Sequence, residues 1–154
     1  MTILLIYATN SSGTLLAAEI VRDVLQATGH TVTMKRANAV DPKEMKSFDH
    51  VILGSCTWDR MDGQTHLQGQ LQEHMFELKQ KLQGTILPGH KFSVFGLGDS
   101  SYSLFCRAVD ELQTMVNDLG AELVGEPLRI DGFFFHQDRN EQQVREWVEG
   151  LIAT

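Results

Sequence analysis

Short apolar runs alternate with helix-like periodicities along the whole chain, and this alternation constrains the fold more than any other feature. Residues 2–8 and 51–53 are apolar at nearly every position, which is typical of strands buried on both faces of a parallel sheet. Leu16, Ile20 and Val24 recur at helical spacing between those two runs. A strand followed by a helix recurs five times, which predicts parallel strands joined by right-handed crossovers.

The remaining predicted elements continue the same alternation. An edge strand is expected over residues 30–35, and Asp41 followed by Pro42 predicts a short helical turn. Apolar residues at helical spacing predict helices over 67–82, 105–119 and 144–152. Two more strands are predicted over 91–95 and 121–125, the second of which can continue through residue 130.

These elements predict one α/β domain over residues 1–154, since a chain of this length buries a sufficient core without disulfides or metal ions. Five strands fit a doubly wound parallel sheet with the strand order 2-1-3-4-5 and helices on both faces. A ligand in such a sheet lies at the carboxyl ends of the strands, where the winding reverses. The loops after strands one, three and four are therefore the main candidates for function, and the loop after strand five is a further one.

The charge balance narrows the classes of partner. Thirteen basic and twenty acidic residues give a net charge of −7, which disfavours nucleic acid and anionic lipid and favours basic partners. Plain solubility is the alternative explanation of the same charge. The amino-terminal apolar run lacks a basic flank and is too short for a signal peptide or a membrane span, so a cytoplasmic protein with no membrane partner is expected. We also expect a monomer.

Metal and disulfide chemistry have little support in the sequence. Cys56 and Cys106 form no Cys-x-x-Cys pair, and the six histidines are scattered without ligand spacing. Two reduced thiols and no metal site are therefore expected.

The loop after the first strand is rich in small hydroxyl side chains and opens directly into a helix. It contains Thr9, Asn10, Ser11, Ser12, Gly13 and Thr14. Free backbone N–H groups and the helix dipole at such a point bind an anion, and the hydroxyls add donors, so a phosphate site is predicted. The loop has no lysine or arginine and matches neither the P-loop nor the dinucleotide glycine pattern. An ordinary hydroxyl-rich helix cap is the alternative.

The loop after the third strand carries an aromatic residue among polar ones. It contains Ser55, Cys56, Thr57, Trp58, Asp59 and Arg60. A tryptophan in a polar loop needs a packing partner, and stacking on a flat ligand would supply one. The alternative is that Trp58 folds back onto the body of the domain.

The loop after the fourth strand adds a second aromatic residue. It contains Gly96, Leu97, Gly98, Asp99, Tyr102, Phe105 and Cys106. Gly96 and Gly98 are expected to let the backbone approach a ligand closely, and Tyr102 stands where it could face Trp58. The alternative is a helix cap with a packing tyrosine. Together the three loops describe a site for a mononucleotide with an isoalloxazine-like ring.

Residues 9–14, 55–58 and 96–102 resemble the three FMN-binding loops of flavodoxins, and the similarity covers essentially the whole chain, at the length of the short-chain members. The resemblance implies a flavodoxin-like fold and noncovalent FMN that carries single electrons between redox protein partners, with no substrate of its own. An FMN-dependent NAD(P)H or quinone reductase on the same fold is the alternative. The implied phosphate ligands are Thr9, Ser11, Ser12, Gly13 and Thr14; Trp58 and Tyr102 sandwich the ring; and the backbone of Gly98, Asp99 and Cys106 meets its pyrimidine edge.

This sequence departs from the family pattern at three positions. Ser12 stands where the first loop usually has glycine, and phosphate binding is expected to survive because backbone N–H groups dominate it. Asp59 stands where glycine is common, so the one-electron-reduced flavin is expected to be less stabilised, by about 1 kcal/mol. Arg60 adds a positive charge near the ring, which predicts a less negative potential for the lower couple.

Three consecutive phenylalanines, Phe133, Phe134 and Phe135, follow the last strand on the same edge. They cannot all face one core, so at least one is expected to be exposed. A partner-docking patch and ordinary loop packing are both open as explanations.

Overall fold

The computed structural model describes residues 1–9, 13–62, 64–98 and 106–152, without the side chains of 58–62 and 65–69. The strands are β1 (Thr2–Ala8), β2 (Thr31–Arg36), β3 (His50–Asp62), β4 (Thr65–Leu71), β5 (Lys91–Gly98), β6 (Glu122–Leu123) and β7 (Leu128–Asp131). The helices are α1 (Gly13–Ala27), α2 (Glu73–Lys81), α3 (Arg107–Asp118) and α4 (Gln137–Ile152), with short 3₁₀ turns at Ala37–Ala39 and Pro42–Ser47. No helix within these residues is both long and apolar enough to cross a bilayer.

The strands form one sheet with the path β2-β1-β3-β5-β6, and β7 extends the last position by pairing with β5. Every pairing along this path is parallel. When β6 and β7 are counted as one interrupted strand, the order is the predicted 2-1-3-4-5, and the predicted fold class is confirmed. The interruption contains Gly125, whose φ of 75° is accessible to glycine at little cost.

Alternate residues of the central strands face two separate cores. Leu4, Ile6 and Leu53 belong to the core under α2 and α3, whereas Ile3 and Leu5 belong to the core under α1 and α4. Successive side chains of a strand point to opposite faces, so a strand covered by helices on both sides is apolar at nearly every position. This arrangement explains the uninterrupted apolar runs in β1 and β5.

The region between residues 58 and 72 differs from the prediction. The expected helix over 67–82 is wrong in its first part, because residues 65–71 form β4, which pairs antiparallel with β3, and α2 begins only at Glu73. Leu67 and Leu71 are four residues apart, a spacing that fits both the helical and the strand period. Gly69 disfavours a helix, and the side chain of Gln72 accepts a hydrogen bond from the backbone N–H of His74 to cap α2.

The same correction changes the place of Trp58. It was expected in a polar loop, yet the structure has it within β3, opposite Gln70 of β4. The predicted loop after the third strand is therefore the outer half of a β-hairpin. The two strands of a hairpin are joined by a ladder of backbone hydrogen bonds. This pairing fixes the direction of the chain around Trp58.

Candidate functional site

The three predicted loops leave neighbouring strands at one edge of the sheet. The register pairs Ala8 of β1 with Ser55 of β3, and Ser55 with Gly96 of β5. Gly98 at the end of β5 pairs with Asp131 at the end of β7. We call this edge the carboxyl edge, and the opposite one, where the strands begin, the amino edge. The strands that precede the three predicted loops therefore end side by side at the carboxyl edge.

Two buried hydroxyls mark the end of the site at β1 and α1. The Oγ1 atoms of Thr9 and Thr14 are buried and have no hydrogen-bond partner among the described residues, and Thr14 is only 1% exposed. Leaving a buried polar group unpaired costs about 1–3 kcal/mol, so such groups point to a missing partner. Both hydroxyls flank the start of α1, where free backbone N–H groups are also available.

The first turn of α1 differs from that of the three other helices. Glu73 of α2, Asp110 of α3 and Asp138 of α4 each place an acid near a positive helix end, whereas the first turn of α1 has none. A site with two unpaired hydroxyls, free amides and no acidic side chain fits a phosphate group. The residues present thus fit the phosphate that the sequence predicts.

Close packing at this point favours glycine at position 13. A Cβ atom there would lie 3.0 Å from Cδ2 of Leu97 and 3.4 Å from Cε2 of Phe134. The start of α1 is thereby held against β5 and against the segment that follows β7. Contact with both segments fixes where the free amides of α1 lie.

The hydroxyls of two other predicted residues serve the fold. Ser55 is fully buried; its Oγ donates to the carbonyl of Cys56 and accepts a hydrogen bond from the backbone N–H of Gln72 at 3.1 Å. Thr57 Oγ1 accepts a hydrogen bond from the backbone N–H of Ala108 at 3.2 Å, in the first turn of α3. These bonds connect β3 to the start of α2 and to α3. Because both hydroxyls are already paired within the protein, the predicted ligand contacts of Ser55 and Thr57 are those of their backbone groups.

Gly96 and Gly98 make room for α3 and the residue before it. A Cβ atom at Gly96 would lie 2.5 Å from Cγ2 of Val109, and one at Gly98 would lie 2.7 Å from the backbone nitrogen of Cys106. The sequence predicted that these glycines let the backbone approach a ligand. The structure gives them a different physical reason, because protein atoms fill the space in question.

The thiol of Cys106 is held inside the protein. Its Sγ lies 3.7 Å from the carbonyl oxygen of Gly96 and 3.5 Å from that of Ile130. Burial raises the pKa of this thiol to about 12. Because the thiolate is the reactive form, this buried thiol is unreactive at neutral pH.

For several predicted site residues, the structure describes neither backbone nor side chain, or the backbone alone. Asn10, Ser11, Ser12, Asp99, Tyr102 and Phe105 lie outside the described residues. Trp58, Asp59 and Arg60 are placed by their backbone in β3, where the register shifts so that Gln68 and Gly69 stand opposite Asp59 alone. Such a bulge bends a strand and is common beside functional sites. The sandwich of a ring between Trp58 and Tyr102 stays a prediction.

The phenylalanine segment after β7 presents two aromatic rings to solvent. Phe133 is 4% exposed, whereas Phe134 is 51% and Phe135 83% exposed. The prediction that at least one of the three is exposed is confirmed. Phe134 contacts Phe133 edge to face and approaches Gly13, so the exposed rings stand beside the start of α1.

Asn140 holds this segment in place and was missed by the sequence analysis. Its side chain is buried in the first turns of α4, and its Nδ2 lies 2.9, 3.2 and 3.4 Å from the carbonyl oxygens of Asp131, Gly132 and Phe133. An asparagine soon after a Gly-containing turn is the only sequence signal for this role. The two exposed rings are therefore presented by a turn that is fixed from behind.

Comparisons with known proteins agree over nearly the whole chain. The flavodoxin family model matches residues 5–147. The flavodoxin of Maridesulfovibrio salexigens is 31% identical over 149 residues, which cover 96% of this chain and 94% of that protein. The flavodoxin of Nitratidesulfovibrio vulgaris is 34% identical over 132 residues, which cover 84% of each. The crystal structure of oxidised flavodoxin 2 from Bacillus cereus matches with a TM-score of 0.86 at 30% identity and 99% coverage of both chains.

Proposed function

The chain belongs to the flavodoxin family and is an FMN-binding electron carrier; from this premise we propose which residues hold the cofactor and which kind of partner it meets. The observation that carries the assignment is the pair of buried, unpaired hydroxyls of Thr9 and Thr14 beside the start of α1. FMN, when bound, supplies a flavin ring that takes up and releases single electrons. The protein supplies binding, orientation and the surrounding charges.

The phosphate end of FMN is assigned to the first loop. The hydroxyls of Thr9 and Thr14 donate to phosphate oxygens, and backbone N–H groups from Gly13 onward add the favourable end of the α1 dipole. Asn10, Ser11 and Ser12 complete this loop. Pairing with phosphate would remove the desolvation penalty of both hydroxyls, so binding and folding of this edge are coupled.

The ring end of FMN is assigned to the other two loops. Trp58 and Tyr102 cover the two faces of the ring, and the backbone of Gly98, Asp99 and Cys106 contacts its polar edge. The remaining proposed contacts come from Ser55, Cys56, Thr57, Asp59, Arg60, Gly96, Leu97 and Phe105. Rings covered on both faces exclude water and leave no room for a small substrate above the flavin.

A substrate site above an open ring face is what would distinguish a reductase from a carrier. We expect the purified protein alone to show no steady-state oxidation of NADH or NADPH, because hydride transfer needs an open ring face. The protein should be yellow, with one FMN per chain, and should accept single electrons during stepwise reduction. Steady oxidation of either nicotinamide would favour the reductase, and a colourless protein that cannot be reconstituted with FMN would refute both readings.

The partner proposed here is a redox protein whose docking surface has an apolar centre and a basic rim. The exposed rings of Phe134 and Phe135 lie at the carboxyl edge, and the exposed acids Glu73 and Asp138 begin α2 and α4 at that edge. The net charge of the chain is −7. Fixed aromatic side chains anchor interfaces, and complementary charges accelerate association, so both features suit a basic partner.

Stopped-flow electron transfer to cytochrome c, a basic redox protein used as the probe, tests this surface. Phe135→Ser should lower the second-order rate constant severalfold at low salt without changing the FMN content. Ile86→Ser is the matched control, because Ile86 is 61% exposed beside Gly120 at the end of α3, away from the carboxyl edge. Equal rate constants for the two variants would contradict the docking proposal.

A single domain over residues 1–154, a monomeric state and a cytoplasmic location stay predictions.

A further inference from the structure

Cys106 has a backbone conformation that needs external support. Its φ of 48° and ψ of 32° lie in the left-handed region. Among the described residues, no other non-glycine residue has a positive φ. This conformation is unfavourable by about 1–2 kcal/mol for a residue with a Cβ atom. Cys106 also stands at the N-cap of α3 without a side-chain capping bond. Its surroundings must therefore hold the peptide in place.

Arg129 on β7 supports this peptide together with the backbone N–H of Val109, which donates to the same Cys106 carbonyl oxygen at 2.9 Å. Nη1 of Arg129 donates to the carbonyl oxygen of Cys106 at 3.0 Å, and its Nη2 donates to Oδ1 of Asp110 at 2.6 Å. The thiol contacts of Cys106 are longer, at 3.5 and 3.7 Å, and sulfur is a weak donor. The planar guanidinium thus bridges the residue before α3 and the first turn of that helix, which a lysine ammonium could not do in the same geometry.

Arg129 is also placed for this task by the sheet. It pairs with Gly96 in the β5–β7 register, one strand away from the glycines over which Cys106 packs. The side chain of Arg129 is 37% exposed and that of Asp110 is 58% exposed, so a surface ion pair of this kind adds little to stability by itself. The more important role of Arg129 is to fix the geometry of the Cys106 peptide.

We propose that Arg129 is a positioning residue for the cofactor, which acts by fixing the Cys106 peptide toward the polar edge of the flavin ring. The inference rests on the proposed contact between the Cys106 backbone and that edge. It predicts an effect confined to the ring end of FMN, because the guanidinium of Arg129 donates to Cys106 and Asp110, which lie beside the proposed ring site and not in the first loop.

The test compares three FMN-loaded variants with the wild type. Arg129→Met should raise the dissociation constant for FMN about tenfold, as expected for the loss of one charge-assisted hydrogen bond. It should also change the visible circular dichroism of the bound flavin, while the ³¹P resonance of the bound phosphate stays in place. Arg129→Lys keeps the charge and loses the two-pronged contact, so it should resemble Arg129→Met.

Arg139→Met is the matched control, because it removes the same charge from an exposed position in the first turns of α4. It should behave as the wild type in all three measurements. The proposal is overturned if Arg129→Lys matches the wild type while Arg129→Met is impaired, since charge alone would then explain the effect. It is equally overturned if Arg129→Met binds FMN as tightly as Arg139→Met. A wild type that does not bind FMN would instead refute the proposed function.

Discussion

The two edges of the sheet treat buried polar groups differently. At the amino edge, the hydroxyl of Ser93 donates a hydrogen bond to the carbonyl oxygen of Val124 at 2.8 Å. Nε2 of buried His50 lies 2.8 Å from the same hydroxyl oxygen. Because the hydroxyl hydrogen is already used, Nε2 carries a hydrogen and donates it to Ser93. At the carboxyl edge, the buried hydroxyls of Thr9 and Thr14 have no partner among the described residues. The Ser93 hydroxyl at the amino edge is thus paired within the protein, whereas those of Thr9 and Thr14 at the carboxyl edge are free to pair with the proposed phosphate.

We expect this difference to separate residues that stabilise the fold from the residues proposed to bind the cofactor. A change at the amino edge should alter unfolding and leave FMN affinity intact, because its bonds close within the protein. A change at Thr9 or Thr14 should alter FMN affinity without lowering the unfolding free energy of the apoprotein, because no bond within the described structure is lost. The predictions below test this separation, beginning with the largest effect.

Acid should act on the amino edge through His50. Burial first, and the nearby charges of Lys91 and His90, lower the pKa of His50 from 6.5 to about 4. The unfolded chain therefore binds this proton more readily than the fold does, so stability that is complete above pH 6.5 is lost as the pH falls toward 4. The loss of unfolding free energy should reach at most about 3 kcal/mol, measured by urea unfolding at stepped pH.

His50→Gln provides the control for this prediction. Glutamine can still donate to Ser93 but does not titrate, so the unfolding free energy of the variant should depend less on pH between 6.5 and 4. Its affinity for FMN at pH 7 should equal that of the wild type. An equally steep loss of stability in the variant would show that other groups cause it.

At the carboxyl edge, Thr14→Val removes one unpaired hydroxyl at nearly constant shape. The dissociation constant for FMN should rise about tenfold to a hundredfold, because a hydrogen bond to a charged group contributes about 1.5–3 kcal/mol. The unfolding free energy of the apoprotein should stay the same or rise. Fluorescence titration and urea unfolding measure the two quantities.

Ser93→Ala is the reciprocal variant at the amino edge. It breaks the bonds of His50 and Val124 and should lower the unfolding free energy by about 1–2 kcal/mol, with no change in FMN affinity. If Ser93→Ala weakened FMN binding as much as Thr14→Val, the two edges would not be separable.

The backbone at Asp59 offers a smaller effect. Asp59 stands alone opposite Gln68 and Gly69 at the β3–β4 bulge, and a glycine at this position would reorient its peptide more easily. Asp59→Gly should therefore stabilise the one-electron-reduced flavin by about 1 kcal/mol. A spectroscopic redox titration measures the yield of that form. The same yield in the wild type and the variant would contradict the prediction.

The smallest effect is expected from the charge of Arg60. Arg60→Asp should make the potential of the lower couple more negative by a few tens of millivolts, since a negative charge disfavours the fully reduced anionic flavin. Arg145→Asp makes the same charge change at an exposed site on α4 and should shift the potential less. Potentiometry at low ionic strength resolves the two, because salt screens exposed charges. Equal shifts of the potential in the two variants would show that net charge, and not the position of Arg60, causes the effect.

The fold was predictable where burial on both faces dictates composition. β1 and β5 are apolar because helices cover both sides, and the order of the five parallel positions follows from their alternation with helices. The helix over 67–82 was predicted wrongly because Leu67 and Leu71 satisfy two periods at once. What decides between the periods is the pairing of β4 with β3, which no local pattern contains.

The site was predictable to the level of loops and less so to that of individual contacts. The first loop was singled out for its hydroxyls, and those of Thr9 and Thr14 are buried without a partner among the described residues. Arg129 and Asn140 were missed because their partners, Cys106 and the turn after Asp131, are brought to them by the tertiary fold. Residues that position other residues leave a weak signal in a single sequence.

The central claim is that Thr9 and Thr14 await a phosphate, and the affinities of the apoprotein for FMN and riboflavin test it most directly. The two ligands share the flavin ring and differ by the phosphate alone. The account predicts that FMN binds at least about a hundredfold more tightly than riboflavin, because the phosphate pairs with two buried hydroxyls and the start of α1. Equal dissociation constants for the two ligands would contradict it.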